Sequence, residues 1–291
     1  MLDDQDRMFA CPPAPGSPRA PFGERLHDAI SRRGHLCVGI DPSSESLAAW
    51  GLPDTADGAA TFASAMVDAA RDTVAIVKPQ SAFFERLGPD GILVLQNVCR
   101  MARGAGLLVL LDAKRGDIGS TSRAYARAYL LPDSPIAVDA MTVTPYVGVG
   151  ALEPFFEAAT AGGTGVFVLA RTSNREGGDL QDSVSIAGKT VADTVIDEVR
   201  RRNGGSSHGS FGLVYGATVK VHLPDHANGF ILAPGVGPQG GNPEDLAARF
   251  GESSSRVIPS ASRLIAEAGP GEAALRRAIS SLNERCTTAL R

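Results

Sequence analysis

The sequence has few cysteines, little net charge and no long apolar run, and each absence narrows the class of protein. None of its four cysteines belongs to a CxxC pair, so we expect reduced thiols rather than a disulfide framework. The apolar runs stay well below the ~20 residues that cross a membrane. The formal net charge is only -4, which predicts no basic surface for nucleic acid or acidic lipid. We therefore expect no nucleic-acid or membrane partner, although a local basic pocket could still hold a small anion.

The N-terminal segment is acidic at its start and rich in proline after it. Asp3, Asp4 and Asp6 stand where a secretory signal would be basic and apolar, so we expect a cytoplasmic protein rather than an exported one. Residues 1–21 hold five prolines, which no regular helix or central strand tolerates. We predict a proline-rich N-terminal tail over residues 1–21 and a single domain over residues 22–291.

A repeating pattern of short apolar runs and longer helical stretches follows the tail. Each apolar run is too short for a core helix and suits a strand buried on both faces of a parallel sheet. The eight predicted strands are His35–Ile40, Val74–Val77, Leu107–Leu111, Ile136–Val143, Gly165–Ala170, Gly212–Val219, Gly229–Ala233 and Arg256–Pro259. The predicted helices are Ala59–Asp72, Gly91–Arg103, Ser120–Leu130, Ala151–Ala161, Val184–Arg202, Pro243–Phe250 and Glu272–Leu290, preceded by an amphipathic segment from Phe22 to Ser31. Regular alternation of eight strands with helices predicts an α/β fold, a (β/α)8 TIM barrel of about 250 residues.

Charged side chains follow the first three predicted strands. Asp41 ends the first strand, Lys78 ends the second, and Asp112 and Lys114 end the third. Alternation along a strand places Asp112 and Lys114 on the same face, toward the barrel mouth. Asp117 follows three residues later, beyond a glycine. Such charges can form a purely structural salt-bridge cluster, but burying several ions carries a penalty of several kcal/mol each, roughly, so an active site is favoured.

The loops after the seventh and eighth strands have the composition of an anion site. Pro234–Gly241 contains four glycines, and Gln239 and Arg263 can donate hydrogen bonds to oxyanions. Barrel enzymes often bind phosphate at this place. The simpler alternative is a glycine-proline turn without a ligand. No histidine has a partner at metal-ligand spacing, and Ser173 lacks the surroundings of a hydrolase nucleophile, so we predict no metal site.

These motifs resemble those of the orotidine 5′-phosphate decarboxylases. Asp112-Ala113-Lys114-Arg115-Gly116-Asp117-Ile118 is similar to the family signature D-x-K-x-x-D-I, in the longer form of a bacterial branch. Pro234–Gly241 resembles the phosphate loop of the family, and Arg263 matches the arginine after its eighth strand. Together with Asp41 and Lys78 at the first two strand ends, the resemblance covers residues 36–268. It does not include the proline-rich tail.

The resemblance implies a role for each matching residue. Lys78, Asp112, Lys114 and Asp117 would form an alternating charged array, with Lys114 as the proton donor to C6 of orotidylate. The substrate-binding residues would be Asp41 on a ribose hydroxyl, Thr121, Ser173 on the pyrimidine, and Gln239 and Arg263 on the 5′-phosphate. In this family the residues matching Asp117 and Thr121 come from the second subunit, so the resemblance implies a homodimer that shares them across its interface. Thr172-Ser173-Asn174-Arg175 departs from the commoner family sequence at that place.

Two other functions are weighed against decarboxylation of orotidylate to UMP and CO₂. The first is a Mg²⁺-dependent sugar-phosphate synthase or decarboxylase of the same superfamily, in which an acidic metal ligand ends the second strand. Lys78 stands at that position and would repel a cation. The second is a non-catalytic phosphosugar-binding barrel, which would not require a lysine between two aspartates. We therefore expect a cofactor-free carboxy-lyase that acts in pyrimidine biosynthesis on a small nucleotide substrate.

Overall fold

Eight parallel strands close into one barrel in a computed structural model that describes residues 19–219, 227–237 and 240–291. The strands are β1 (Cys37–Ile40), β2 (Ile76–Pro79), β3 (Leu108–Arg115), β4 (Ala140–Val143), β5 (Gly165–Arg171), β6 (Phe211–Tyr215), β7 (Ile231–Pro234) and β8 (Val257–Ala261). Each strand pairs with the next along the chain, and β8 pairs with β1 to complete the ring. The predicted TIM barrel is thereby confirmed.

Helices surround the barrel and fill the crossover connections between its parallel strands. They are α1 (Phe22–Arg33), α2 (Ser44–Ala49), α3 (Ala56–Ala70), α4 (Ser81–Glu85), α5 (Gly88–Gly104), α6 (Gly119–Tyr129), α7 (Glu153–Gly162), α8 (Gly177–Gln181), α9 (Val191–Asn203), α10 (Leu246–Phe250), α11 (Arg263–Ala266) and α12 (Glu272–Leu290). Short 3-10 helices of three to six residues precede α7, α10 and β8. Among the described residues, no helix combines the length and apolar character needed to cross a bilayer.

The core has two layers, because the strands bury both of their faces. One apolar cluster fills the barrel interior and includes Ile76, Leu110, Phe167 and Ile258. The larger cluster lies between the sheet and the helices. This double burial explains why the strands are nearly continuous apolar runs in the sequence.

Helix α1 covers the N-terminal end of the barrel, opposite the strand ends predicted to carry the site. Phe22 is buried and meets Phe167 of β5 edge to face, with ring centroids 6.0 Å apart. Arg25 pairs at 2.8 Å with the buried carboxylate of Asp139, which also accepts from Arg19. Residues 19–21 of the expected tail therefore contact the barrel, and residues 1–18 lie outside the described residues.

The predicted element boundaries differ from the observed ones at strand ends and around short helices. Strand β3 ends four residues later than predicted, β4 begins four residues later, and β6 ends four residues earlier. The helix predicted from Val184 begins at Val191 instead, because Val184 forms an antiparallel bridge with Thr190 and the Thr190 side chain caps the helix. Helices α2, α4, α8 and α11 have four to six residues each and were not predicted. The turn of helix expected within residues 222–228 lies largely outside the described residues.

Candidate active site

A cavity of about 810 Å³ opens at the C-terminal ends of the strands. Six of the predicted site residues line it, and five different strands bring them there: Asp41, Lys78, Asp112, Lys114, Ser173 and Arg263. Parallel strands place all their C-terminal ends at one mouth, so residues distant in the sequence converge at this point. Asp117 and Thr121 are not among the lining residues, and Gln239 lies outside the described residues.

The centre of the cavity is a carboxylate held between two ammonium groups. Lys78 Nζ lies 3.0 Å from Asp112 Oδ2, and Lys114 Nζ lies 2.6 Å from Asp112 Oδ1. The side chains of Lys78 and Asp112 are only 8% and 12% exposed, whereas that of Lys114 is 43% exposed. Lys78 is therefore a buried anchor, and Lys114 is the cation that a ligand can reach.

The electrostatics of the buried pair favour its charged form. Burial alone would lower the pKa of Lys78, but the carboxylates of Asp112 and Asp41 outweigh it and hold that pKa above its ordinary value. Burial alone would raise the pKa of Asp112, but Lys78 and Lys114 hold it well below its usual range. Both lysines therefore favour the ionised carboxylate of Asp112.

The end of β3 is irregular where it carries these charges. The pairing register with β4 shifts between Leu111 and Arg115, and Lys114 has a left-handed backbone with φ of 47°. Ala113 is buried on the opposite side from the cavity lining. The predicted common orientation of Asp112 and Lys114 is thus observed, and it persists across a bulge in the pairing of β3 with β4.

Two polar residues that the sequence analysis did not single out hold Asp112 in place. Thr142 of β4 donates to Asp112 Oδ1 at 2.9 Å and accepts from the Lys114 backbone N–H at 3.0 Å. The Gln80 amide nitrogen, turned toward Asp112, lies 2.6 Å from Oδ2 and 3.1 Å from the main-chain oxygen. Gln80 is two residues after Lys78, and residues two apart on a strand face the same side. The same alternation that relates Asp112 to Lys114 would therefore have predicted that Gln80 faces the cavity.

Asp41 presents an unused acceptor to the cavity. Its Oδ1 atom is buried and has no hydrogen-bond partner among the described residues. Buried polar atoms are nearly always paired in folded proteins, so this oxygen is suited to a donor supplied by a ligand. A ligand hydroxyl group is such a donor.

Across the cavity, the loop after β7 turns tightly beside Arg263. Gly235, Gly237 and Gly240 all have positive φ values, and Gly237 donates to the Gly241 oxygen at 2.9 Å. Arg263 is exposed, lines the cavity and makes no ion pair with any of the described residues. The arrangement leaves a guanidinium group available to an anion on this side.

Asp117 and Thr121 lie beyond the end of β3, where Asp117 is partly buried and Thr121 is exposed. The Asp117 Oδ1 atom accepts from the Ile118 backbone N–H at 2.7 Å, and Thr121 is exposed on the first turn of α6. Two large apolar side chains of this region, Ile118 and Tyr146, are 62% and 78% exposed. Asp117 and Thr121 therefore do not line the cavity of their own chain.

The cavity is rich in lysine at its centre rather than in groups that ligate metals. Among the residues that the structure describes, no group of three or more histidine, cysteine or acidic side chains is arranged to hold a metal ion. Of the acidic residues in the lining, Asp112 is paired with the ammonium groups of Lys78 and Lys114, and Asp41 faces Lys78. The chemistry of this donor set is the recognition and stabilisation of negative charge.

A closed parallel barrel with paired charges at the C-terminal ends of its strands defines a TIM-barrel enzyme acting on an anionic ligand. A family model described as orotidine 5′-phosphate decarboxylase / HUMPS family matches residues 34–278. The chain belongs to this family, and the resemblance inferred from its motifs is confirmed.

Relatives and solved structures agree with this assignment. The chain is 54% identical over 272 residues to the orotidine 5′-phosphate decarboxylase of Salinispora arenicola, covering 92% of this chain and 98% of the relative. It is also similar to a crystal structure from Streptomyces avermitilis assigned as an orotidine 5′-phosphate decarboxylase, with a TM-score of 0.92, 46% identity, and coverage of 96% and 99% of the two chains. The Leishmania donovani OMP decarboxylase structure is 29% identical, with a TM-score of 0.73 and coverage of 93% and 99%.

Proposed function

We propose that this chain is an orotidine 5′-phosphate decarboxylase, which converts orotidylate to UMP and CO₂ in pyrimidine biosynthesis. The observation that carries the proposal is the ion-paired Lys78–Asp112–Lys114 cluster, found in a chain whose curated relatives bear this activity in their names. The exposed part of Lys114 and the shielded Asp112 give the cavity a proton donor beside a fixed negative charge.

The reaction needs a group that stabilises negative charge at C6 and then protonates it. Loss of CO₂ leaves a carbanion that no ring carbonyl is placed to delocalise well. Lys114 supplies a positive charge close to that carbon and can transfer its proton there. We expect no cofactor to act as an electron sink, because the ammonium group performs both tasks.

Asp112 contributes by lying next to the carboxylate that departs. Two like charges ~4 Å apart repel by about 4 kcal/mol at an effective dielectric of 20. Enzymes lower activation barriers by about 8–23 kcal/mol, so this repulsion accounts for only a part of the expected lowering of the barrier. The larger part comes from pre-organised positive charge, which Thr142 and Gln80 support by fixing Asp112 and hence both lysines.

The remaining site residues bind the parts of the substrate that do not react. The unpaired oxygen of Asp41 would accept from a ribose hydroxyl. Arg263 and Gln239 would hold the 5′-phosphate beside the glycine-rich loop, and Ser173 would contact the pyrimidine. Arg263 and Ser173 both line the cavity, Ser173 after β5 and Arg263 after β8.

We propose that the active unit is a homodimer in which Asp117 and Thr121 complete the site of the neighbouring subunit. Both residues lie outside the cavity of their own chain. The exposed Ile118 and Tyr146 beside them provide the apolar contact that a stable interface needs.

We also propose a cytoplasmic location, since the buried Cys37, Cys99 and Cys286 are free thiols and suit a reducing compartment.

The family also contains the HUMPS branch, so a Mg²⁺-dependent reaction on a sugar phosphate is the alternative to test. Lys78 at the end of β2 argues against it, because its ammonium group lies where that branch places an acidic ligand. A phosphosugar-binding barrel without catalysis is the other alternative. It gives no reason for the exposed ammonium group of Lys114 to be held 2.6 Å from Asp112.

The deciding experiment is a spectrophotometric assay of orotidylate depletion, run with and without EDTA. We expect depletion with release of UMP and CO₂, at the same rate in both conditions. Loss of turnover in EDTA would favour the metal-dependent branch, and tight UMP binding without CO₂ release would favour a binding protein.

A single substitution tests the role of Lys114. Lys114→Ala should bind UMP, because the phosphate and ribose contacts lie on other strands, but it should lose decarboxylation. Turnover close to that of the unchanged protein would refute the role of Lys114 as proton donor. Lys189→Ala, which removes an exposed lysine outside the cavity lining, serves as the matched control.

A further inference from the structure

The backbone of Lys114 adopts a conformation that its own residue type disfavours. Its φ of 47° lies in the left-handed region, where a side chain with a Cβ crowds the following carbonyl oxygen. Such a residue persists only when its surroundings determine its conformation. Thr142 provides one restraint by accepting from the Lys114 N–H, but that bond acts from the barrel side alone.

Arg115 provides the restraint on the outer side. Its Nη1 atom donates to the Ala113 carbonyl oxygen at 3.1 Å, so it holds the peptide that leads into Lys114. Its Nη2 atom pairs with Glu85, the last residue of α4. The guanidinium also lies over the ring of Tyr125 on α6, 5.6 Å from its centroid. The group is thereby fixed by the helices on both sides of β3.

Arg115 also lies at the point in the sheet where the regular pairing of β3 with β4 resumes, so its contacts can restrain the irregular segment before it. Arg115 pairs with Val143 where the β3–β4 register resumes after the shift, and its carbonyl oxygen accepts from the Thr144 N–H at 2.9 Å. Both the backbone and the side chain of Arg115 therefore restrain the C-terminal end of the bulge that runs from Asp112 to Lys114. Arg115 is 25% exposed and lies outside the cavity lining, so it acts only through its neighbours.

We infer that Arg115 is a positioning residue for decarboxylation, which keeps Lys114 in its left-handed conformation and so directs the ammonium group to Asp112 and the substrate. The inference rests on the proposed function, because it assigns a role in that same reaction. A surface ion pair with a merely structural role would change stability and leave the catalytic step intact. The two roles therefore predict different kinetic results.

The test is a comparison of Arg115→Met with the unchanged chain. We expect kcat to fall about 100-fold, the loss typical of an ångström-scale displacement of a reacting group. The affinity for UMP, measured by calorimetry, should stay within about twofold, since Asp41 and Arg263 are untouched. Arg115→Lys, which can still pair with Glu85, should recover part of kcat. Arg127→Met breaks an exposed ion pair on α6 and should leave both values unchanged.

A crystal structure of Arg115→Met provides the second readout and is independent of activity. We expect Lys114 to leave the left-handed region and its Nζ atom to move away from Asp112. An unchanged Lys114 conformation, or an unchanged kcat in a folded Arg115→Met variant, would overturn the inference. If Arg115→Met does not fold, Glu85→Gln removes the anchoring charge alone, and an unchanged kcat in that variant would equally overturn it. Absence of decarboxylation in the unchanged chain would instead contradict the proposed function.

Discussion

At the scale of single residues, Asp112 is the group on which the rest of the site depends. It accepts from Lys78, Lys114 and Thr142 with its two carboxylate oxygens. Lys78 is buried, so its positive charge requires a nearby carboxylate. The removal of this one negative charge therefore affects both the stability of the fold and the chemistry of the cavity.

We predict that Asp112→Asn destabilises the protein as well as inactivating it. Breaking a buried ion pair by removing one partner typically costs about 3–5 kcal/mol, and we expect the lower end because Asp41 still faces Lys78. The free energy of unfolding, obtained from urea titration at pH 7, measures the effect. Asp133→Asn breaks an exposed pair with Arg127 and should change it by less than about 1 kcal/mol.

A double substitution distinguishes the loss of the Lys78–Asp112 ion pair from the loss of side-chain packing around it. Lys78→Met with Asp112→Leu removes both charges, and apolar replacements of a buried pair are often neutral or stabilising. The double variant should therefore be more stable than Asp112→Asn while remaining inactive. If Asp112→Asn is as stable as the unchanged chain, the carboxylate is not what accommodates Lys78 in the barrel.

The sequence was most informative for residues whose chemistry is rare at their position. Charged side chains at the ends of apolar strands indicated Asp41, Lys78, Asp112 and Lys114, and these converge on one cavity. Thr142 was missed because a threonine near a strand end is common and carries no charge. Spacing alone could not place Asp117 relative to the cavity, since that depends on the path of the chain after the β3 bulge.

At the scale of elements, long buried strands and amphipathic helices were predictable, whereas short helices were not. The strand now called β5 was predicted over Gly165–Ala170 and observed over Gly165–Arg171, because a continuous apolar run bounded by glycine has few alternatives. Helix α4 has five residues and no complete apolar period. The left-handed Lys114 was also beyond prediction, because contacts with other elements stabilise it rather than local propensity.

His35 links the first and last strands where the barrel closes. Its Nδ1 atom lies 2.9 Å from the carbonyl oxygen of Val257 at the start of β8, and the side chain is buried. A neutral ring with a proton on Nδ1 can donate this hydrogen bond. Burial lowers the pKa of His35, a shift that the hydrogen bond to Val257 only partly offsets, so the fold favours the neutral form.

We predict that His35 makes the stability of the barrel depend on pH on the acidic side. Because the folded pKa lies below the unfolded value of about 6.5, the unfolded chain takes up the proton first as pH falls. The stabilisation is complete above about pH 6.5 and is lost below it, by at most about 1.4 kcal/mol per pH unit. Urea unfolding at pH 8, 7, 6 and 5 measures this loss.

His35→Gln keeps a hydrogen-bond donor but removes the titration. Its free energy of unfolding should fall less between pH 7 and pH 5 than that of the unchanged chain. His208, whose pKa is also lowered by burial, titrates equally in both proteins and cancels in the comparison. An identical pH dependence of the two proteins would show that His35 is not the group responsible.

At the scale of the whole molecule, the two ends of the barrel have different roles, one structural and one in ligand binding. The N-terminal end is closed by α1, where Arg25 and the buried Asp139 form a salt bridge. The C-terminal end leaves a cavity whose charged residues are suited to an anion. Eight apolar runs were sufficient to predict this closed architecture, because a parallel sheet with a helix in each connection favours a barrel at this number of strands.

At this scale, the proposed sharing of each site between two chains rests mainly on the family resemblance. A symmetric dimer would bring the Asp117 and Thr121 of each subunit to the cavity of the other. Neither residue lines the cavity of its own chain, which is consistent with such sharing. In the proposed dimer the partner covers the exposed Tyr146, so its replacement by aspartate should weaken the association of the two chains.

Mixing two inactive variants tests the sharing directly. Lys114→Ala lacks the proton donor, and Asp117→Ala lacks the carboxylate given to the partner, so each homodimer should be inactive. After the subunits are mixed and exchanged, the mixed dimer contains one site with Lys114 from one chain and Asp117 from the other. We expect the mixture to recover about a quarter of the unchanged activity, because about half of the dimers are mixed and each has one intact site of two. If each chain uses its own Asp117, no site in the mixture is complete, and the mixture stays inactive.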